Sequence, residues 1–294
     1  ERDLNSKSLI QSLIECENSI SAQVTLLFLL TSILLCLMPW FAQKIVKPFL
    51  DRHPSKEQLI DLFDSSMKKT AGVVFQREEA YHCACMIITT SFHHVLGALL
   101  CIPSVFCLTL FSQDVASSMA RFGALLECAE EIQDTIDRSR QVLFEGDGGK
   151  KKNPPMLCFL LGIHHLMGIS MTLPMNIYYS NSRLFHEMVF LLQAAAGLST
   201  LIQFWGFTLD TKTFTGLLKM KVAVVFALTI LAYGRIIRYC YVGFHLFKLV
   251  HEDQYTSMLF IGSASFCLMF VINVLYFVDG CKKVVKFLPM KPSL

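Results

Sequence analysis

The sequence predicts an all-α fold, a polytopic integral membrane helical bundle of about seven transmembrane helices, from three observations. Of its 294 residues 53% are hydrophobic and only 17% charged, where an ordinary soluble domain has about a quarter charged. The apolar residues fall in long unbroken runs of the roughly 20 residues that a spanning helix needs. They do not form the ten-residue alternating segments of a membrane barrel. Lys and Arg, finally, crowd into every second loop.

The runs are Val24–Phe41, His82–Ile102, Val115–Ile136, Pro155–Tyr178, Leu184–Phe207, Val222–Phe247 and Met258–Val278. The third is the least apolar, and the charge distribution argues for it. With seven spans, the N-terminus and the loops after spans two, four and six hold four basic residues (Arg2, Lys7, Arg183 and Lys248). The other loops and the C-terminal tail hold nineteen. Deleting Val115–Ile136 scrambles that split. The excess puts the C-terminus on the positive-inside face. A net charge of +3 is too small to point to nucleic acid.

The chain divides into an N-terminal segment with the first anchor and an interfacial loop (1–69), a helical bundle (70–286) and a tail (287–294). Within Gln43–Tyr81, Ser55 is placed to cap an amphipathic helix that gathers Leu59, Ile60, Leu62 and Phe63 on one face, a helix suited to the membrane interface. The stretch Glu145–Pro155 reads as a flexible basic loop. Its glycines follow no strand and lack the Gly-Lys-Ser/Thr ending of a phosphate-binding loop. Eleven cysteines, an odd number and several within apolar runs, read as small apolar packing residues. Cys83 and Cys85 lack the second ligand pair of a zinc site. The chain opens on Glu1 rather than Met, as a processed or partial chain does.

Ionisable and polar side chains at membrane depth are costly and mark function by default. His165, Thr172, Asn176 and Tyr179 share one face of span four, with His164 beside them. His186, Gln193, Gly197 and Thr200 share a face of span five, and His82, Thr89 and His93 a face of span two. Glu127, Glu130, Glu131, Asp134 and Asp137 recur at three- and four-residue steps on span three. Such a stripe cannot face lipid, and Arg121, Arg235, Arg238 and the histidines are the bases available to it. Each face also reads as interhelical hydrogen bonding. A di-iron site would need Glu-x-x-His pairs on single helices, which are absent, so no metal and no cofactor is expected. Neither a Ser-His-Asp nor a Cys-His arrangement follows from the spacing.

Taken in order, these features resemble the TRAM/Lag/CLN-domain (TLC) family of membrane proteins, particularly its smaller TLC-domain-containing group. The cues are Thr89–His94 (TTSFHH), Gly123–Glu131 (GALLECAEE), the His164-His165 pair after a basic Pro-containing loop, Gln193–Leu198 (QAAAGL), Gly234–Arg238 (GRIIR), and Asn273 before Lys282–Lys286 (KKVVK). The resemblance covers residues 70–286. It implies a protein of membrane lipid homeostasis that holds an acyl or sphingoid chain in an intramembrane cavity, in the endoplasmic reticulum or, alternatively, a mitochondrial or plastid membrane. Its lipid-binding residues would be His164, His165, Thr172, Asn176, His186, Gln193, Glu127, Glu131 and Arg235, its partners membrane lipids. One alternative is a structural accessory subunit of a larger membrane complex. Another is a CoA-dependent acyltransferase of the ceramide synthase type, with His164 or His165 as general base and Lys150–Lys152 near the CoA phosphates. The family's later acids are missing from Leu191–Gly197 (LLQAAAG), which argues against acyl transfer and against an enzyme.

The topology gives a direct expectation. Protease sites inserted after Gly148 and at the C-terminus should be cut from the same side of sealed vesicles, and one inserted at Asn181 from the other. Cleavage of all three from one side would rule out the seven-span arrangement.

Overall fold

The computed structural model describes residues 19–292. Among them are nine helices and no strand. Helix α1 (Ile20–Asp51) starts at Ser19, whose hydroxyl accepts from the Ala22 N–H at 3.1 Å, as an N-cap should. Amphipathic α2 (Lys56–Ala71) ends on Gly72 at φ 68°, a left-handed stop that glycine takes without strain. Next come α3 (Arg77–Val105), α4 (Gln113–Phe144), the short α5 (Gly146–Lys152), α6 (Pro155–Tyr178), α7 (Arg183–Phe207), α8 (Phe214–Glu252) and α9 (Thr256–Phe287). Ser112, Ser182 and Thr213 cap α4, α7 and α8.

Six helices are long and apolar enough to cross a membrane: α1, α3, α6, α7, α8 and α9. Outward-facing Phe28, Phe159, Phe244, Phe260 and Leu275 give them lipid-compatible surfaces. Helix α4 is not among the six, because its acids lower its apolarity. It is nonetheless 32 residues long, about 48 Å at 1.5 Å per residue, and α1, α3, α6 and α7 pack around it.

The contacts close a ring. Helix α3 packs on α4, α4 on α6, α6 on α9, α9 on α8, α8 on α7, and α7 back on α3, the most extensive contact of all. Helix α1 lies outside against α4, where Leu27, Leu30, Leu34 and Met38 meet Leu125, Leu126 and Ala129. One end of the ring is plugged by apolar residues from all six helices, including Val105, Ala120, Met175, Phe185, Val250 and Met258. By chain direction this is the end with few Lys and Arg.

Helices α3, α4 and α7 meet through glycines. A Cβ on Gly97 would collide with the Gln193 amide. One on Gly123 would lie 2.8 Å from the Gly97 carbonyl oxygen, and one on Gly197 2.8 Å from that of Ser91. The close approach lets Gln193 Nε2 donate to the Gly123 carbonyl at 3.1 Å, joining α7 to α4 beside α3. Small residues at membrane helix contacts act in this way.

Several local expectations change. Ser55 precedes α2 but makes no side-chain cap; its N–H donates to His53 Nδ1 at 3.1 Å. Leu59, Ile60 and Phe63 are buried against the bundle, while Leu62 faces outward. The expected flexible loop at Glu145–Pro155 contains a helix, Gly146–Lys152. Lys152 ties it down by bridging Glu145 and Glu79, at 3.1 Å each. Burial works against the Lys152 charge, but these carboxylates hold its pKa above the usual lysine range. Ten cysteines are free among the described residues.

Gly197→Val should overpack the α3–α7 contact and cost about 1–3 kcal/mol, read as a lower Tm of the purified protein in detergent. Gly162→Ala should not lower Tm, since nothing lies within 4 Å of its added carbon and alanine favours a helix interior. Equal Tm for Gly197→Val and wild type would remove the close-packing account.

Candidate functional site

Side chains from the ring helices converge near mid-span. His94 (α3) Nδ1 and Glu127 (α4) Oε2 lie 2.9 Å apart. His164 (α6) and Arg235 (α8) are within electrostatic reach of that pair. His164 Nδ1 is 3.1 Å from the Met269 thioether of α9. Arg235 donates from Nη1 to Asn273 of α9 at 3.0 Å and from Nη2 to the Leu192 carbonyl of α7 at 2.6 Å. Each of the six ring helices therefore contributes a polar or sulfur contact.

Local backbone geometry places Arg235. Residues Leu231–Ile237 form a π-helical stretch inside α8, in which the Arg238 N–H reaches back to the Tyr233 carbonyl. The wider turn rotates the following residues relative to an α-helix, and such segments recur at functional sites. Here it turns Arg235 inward, while Arg238 faces α7 and pairs with Glu187 at 2.5 and 3.0 Å. Arg235 and Arg238 were expected to neutralise the α4 acids. Instead Arg238 pairs on α7 and Arg235 bonds an amide and a carbonyl. The nearest bases to the acids are His94 for Glu127 and Arg138 for Asp134.

His94 and Glu127 sit near the middles of their helices, and 17% and 22% of their side-chain surface stays exposed. Buried donors and acceptors also stand unbonded here: Arg235 Nε, Asn273 Nδ2 and Glu131 Oε2. A dry, filled bundle leaves few such atoms.

A polar line runs from the centre toward the basic side. Thr90 donates to Glu130 at 3.3 Å. The Glu131 carboxylate presses on α6 at Gly168, where a Cβ would strike it. Asp134 accepts from Arg138 Nε at 2.6 Å, Arg138 donates to Asn153 Oδ1 at 3.0 Å, and Asn153 donates to Gln141 at 2.8 Å. This end is polar where the opposite end is plugged.

The two adjacent His pairs split. Neighbours on a helix lie about 100° apart, so only one of each pair faces the centre. His94 and His164 do. His93 donates to the Leu126 carbonyl at 3.1 Å. The Thr135 hydroxyl gives its hydrogen to the Glu131 carbonyl at 2.7 Å and so accepts from His165 Nδ1 at 3.0 Å.

Of the expected lipid-binding residues, Glu127, His164 and Arg235 are brought together, with Glu131 one turn along α4. His165 faces Thr135, and Thr172 faces Cys128. Asn176 is fully buried and donates to Gln23 of α1 at 3.0 Å and to the Arg121 carbonyl at 3.3 Å. It lies about 18 Å along α6 from His164. His186 donates from Nε2 to the Ser180 carbonyl at 2.9 Å and accepts from Ser104 at 2.6 Å. Gln193 holds the glycine contact. These last three tie helices together. His94 falls one position outside the His82, Thr89 and His93 face, and Met269 is one apolar residue among many in its span. Their role depends on helix rotation, which no spacing within one helix reveals.

Among the described residues no group of three or more His, Cys, Asp and Glu is arranged to hold a metal. No family model, curated protein or solved structure matches the chain.

The His94–Glu127 contact should behave as a coupled pair. His94→Leu leaves Glu127 without its partner and should cost about 3–5 kcal/mol. The double variant His94→Leu/Glu127→Leu should be more stable than the single one in detergent melts. Simple additivity of the two losses would show that the groups do not interact.

Proposed function

We propose that this protein handles a membrane lipid inside the six-helix ring, with the lipid's polar end at Glu127, His164 and Arg235, beside His94. Its acyl or sphingoid chain would run along the apolar interior toward the plugged end. One observation carries this reading: an ionisable centre fed by all six ring helices keeps accessible surface and unbonded polar atoms at membrane depth. Four ionisable groups there are costly unless they serve a ligand. Helix α6, which bears His164, is the least buried of the six apolar helices, with 6% of its apolar window enclosed. That exposed flank favours lateral passage of a chain beside it.

The order of His, acid and Arg cues supports a TLC-like assignment, and with it an endoplasmic-reticulum membrane and a C-terminus on the positive-inside face. Acyl transfer has less support. Lys152 of the basic stretch is engaged by Glu79 and Glu145, and the later acids of the ceramide synthases are absent. An accessory subunit would be expected to have a filled interior, which the surface at His94 and Glu127 disfavours.

Native mass spectrometry of the protein purified in mild detergent tests the proposal. Wild type should retain a lipid, and Glu127→Gln/His164→Ala should lose it about tenfold or more, the weight of a charge-assisted hydrogen bond. Retention equal to wild type, in a variant with unchanged Tm, would overturn the site.

A further inference from the structure

A second feature lies outside the ring, at the foot of α1. We propose that the open groove there is a binding site for the headgroup of one anionic phospholipid. It is lined by Lys44, Ile45, Pro48, Phe49, Arg52 and His53, and its assignment is independent of the interior centre.

The sequence builds the groove at the point where the apolar span ends. Residues Ile20–Phe41 carry no charged side chain, and basic residues follow at Lys44, Lys47 and Arg52. Pro48 has no N–H for the Lys44 carbonyl, and the Lys47 N–H reaches back five residues to the Ala42 carbonyl. The resulting π-helical stretch Ala42–Val46 buries Ala42 and Val46 against the bundle and leaves Lys44 and Ile45 outside. Trp40, exposed one turn earlier, is the aromatic residue type that settles at the membrane–water boundary. The groove therefore sits at headgroup depth.

Its charge is uncompensated. Lys44 and Arg52 are exposed, and neither has an ion pair or hydrogen bond from its side chain among the described residues. The nearby acid, Asp51, is already engaged by Lys56 at 2.6 Å and by the Tyr81 hydroxyl at 2.9 Å. That hydrogen bond raises the Lys56 pKa and keeps Asp51 from neutralising the groove. Lys47 turns aside, over the Tyr81 ring. Two free cations eight residues apart thus flank the Pro48 turn. A lysine offers a point charge and an arginine a planar fork, a pairing that suits a phosphodiester.

The apolar part of the lining selects a lipid over a soluble anion. Phe49 is 69% exposed and Ile45 47%. A free phosphate leaves both in water, whereas a phospholipid covers them with its first acyl carbons. Basic residues at a membrane surface attract anionic lipid by about 1 kcal/mol each, so two of them give about a thirtyfold preference over a zwitterionic lipid.

The test uses the full chain, delipidated in neutral detergent and titrated with equal mixtures of phosphatidylglycerol and phosphatidylcholine. Native mass spectrometry should show one phosphatidylglycerol retained in preference. Lys44→Gln/Arg52→Gln should reduce that retention about tenfold or more. Lys150→Gln/Lys151→Gln, which removes equal charge on the same side, should leave it unchanged. Loss of that lipid in Glu127→Gln/His164→Ala but not in Lys44→Gln/Arg52→Gln would place it in the interior centre and overturn the proposal. Inorganic phosphate in excess should not displace the lipid. Equal loss in both lysine-containing double variants would mean a diffuse surface field and overturn the proposal. Displacement by phosphate, or no preference in wild type, would overturn it too. All variants are compared at matched Tm and gel-filtration profile, and the substituted residues of the groove and of the control pair are exposed.

Discussion

The architecture depends on one constraint: the carboxylates of α4 lie among helices apolar enough to cross a membrane and cannot meet hydrocarbon. An unpaired charge there costs several kcal/mol on any scale, and Glu127, Glu130, Glu131 and Asp134 fall within two turns of a single helix. Burying α4 among four other helices solves the problem, and the rest follows. Helix α3 must present His94 to Glu127 and Thr90 to Glu130, and α6 must bring a glycine against Glu131. Arg138 must close the series at the basic end, where α5 folds back to hold it through Asn153. The helix least suited by composition to cross a membrane is therefore the one the others are organised around.

Enclosure alone would favour a solid bundle. Glycine contacts among α3, α4 and α7 make one wall of the ring tight, with Gln193 bonded across them. Helix α6, opposite, packs on α4 and α9 but is far less buried. The ring is thus closely packed where the glycines lie and open to its surroundings along α6, where His164 lies. The apolar plug, to which all six helices contribute, joins them at the other end.

Two π-helical stretches mark the two proposed sites. In α8 the extra residue turns Arg235 inward without displacing Arg238 from Glu187. In α1 it follows from Pro48 and sets Lys44 at the surface while Val46 stays buried. In both places the wider turn lets neighbouring residues satisfy opposed demands, one side chain toward the bundle and the next away from it. A uniform α-helix would rotate both by fixed steps and lose one of the contacts.

The sequence by itself determined the class and the order of helices. Continuous apolar runs admit only helices in lipid, whereas the caps at Ser19, Ser112, Ser182 and Thr213 emerged only in the structure. The polar faces of α6 and α7 were legible too, since His165, Asn176 and Tyr179, and His186 with Gln193, are buried as their periodicity implies. Tertiary structure alone decided partnership. Spacing shows that residues share a face but not what that face meets, so Asn176 and His186 prove to be ties between helices. His94, one position from a recognised face, instead meets Glu127. Arg235 turns inward while Arg238 pairs with Glu187 because a π-helical turn separates their phases, and a wider turn leaves no trace in hydrophobic periodicity. Relative rotation of packed helices is set by long-range contacts such as Gly97 against Gln193, and those contacts exist only once the ring has closed.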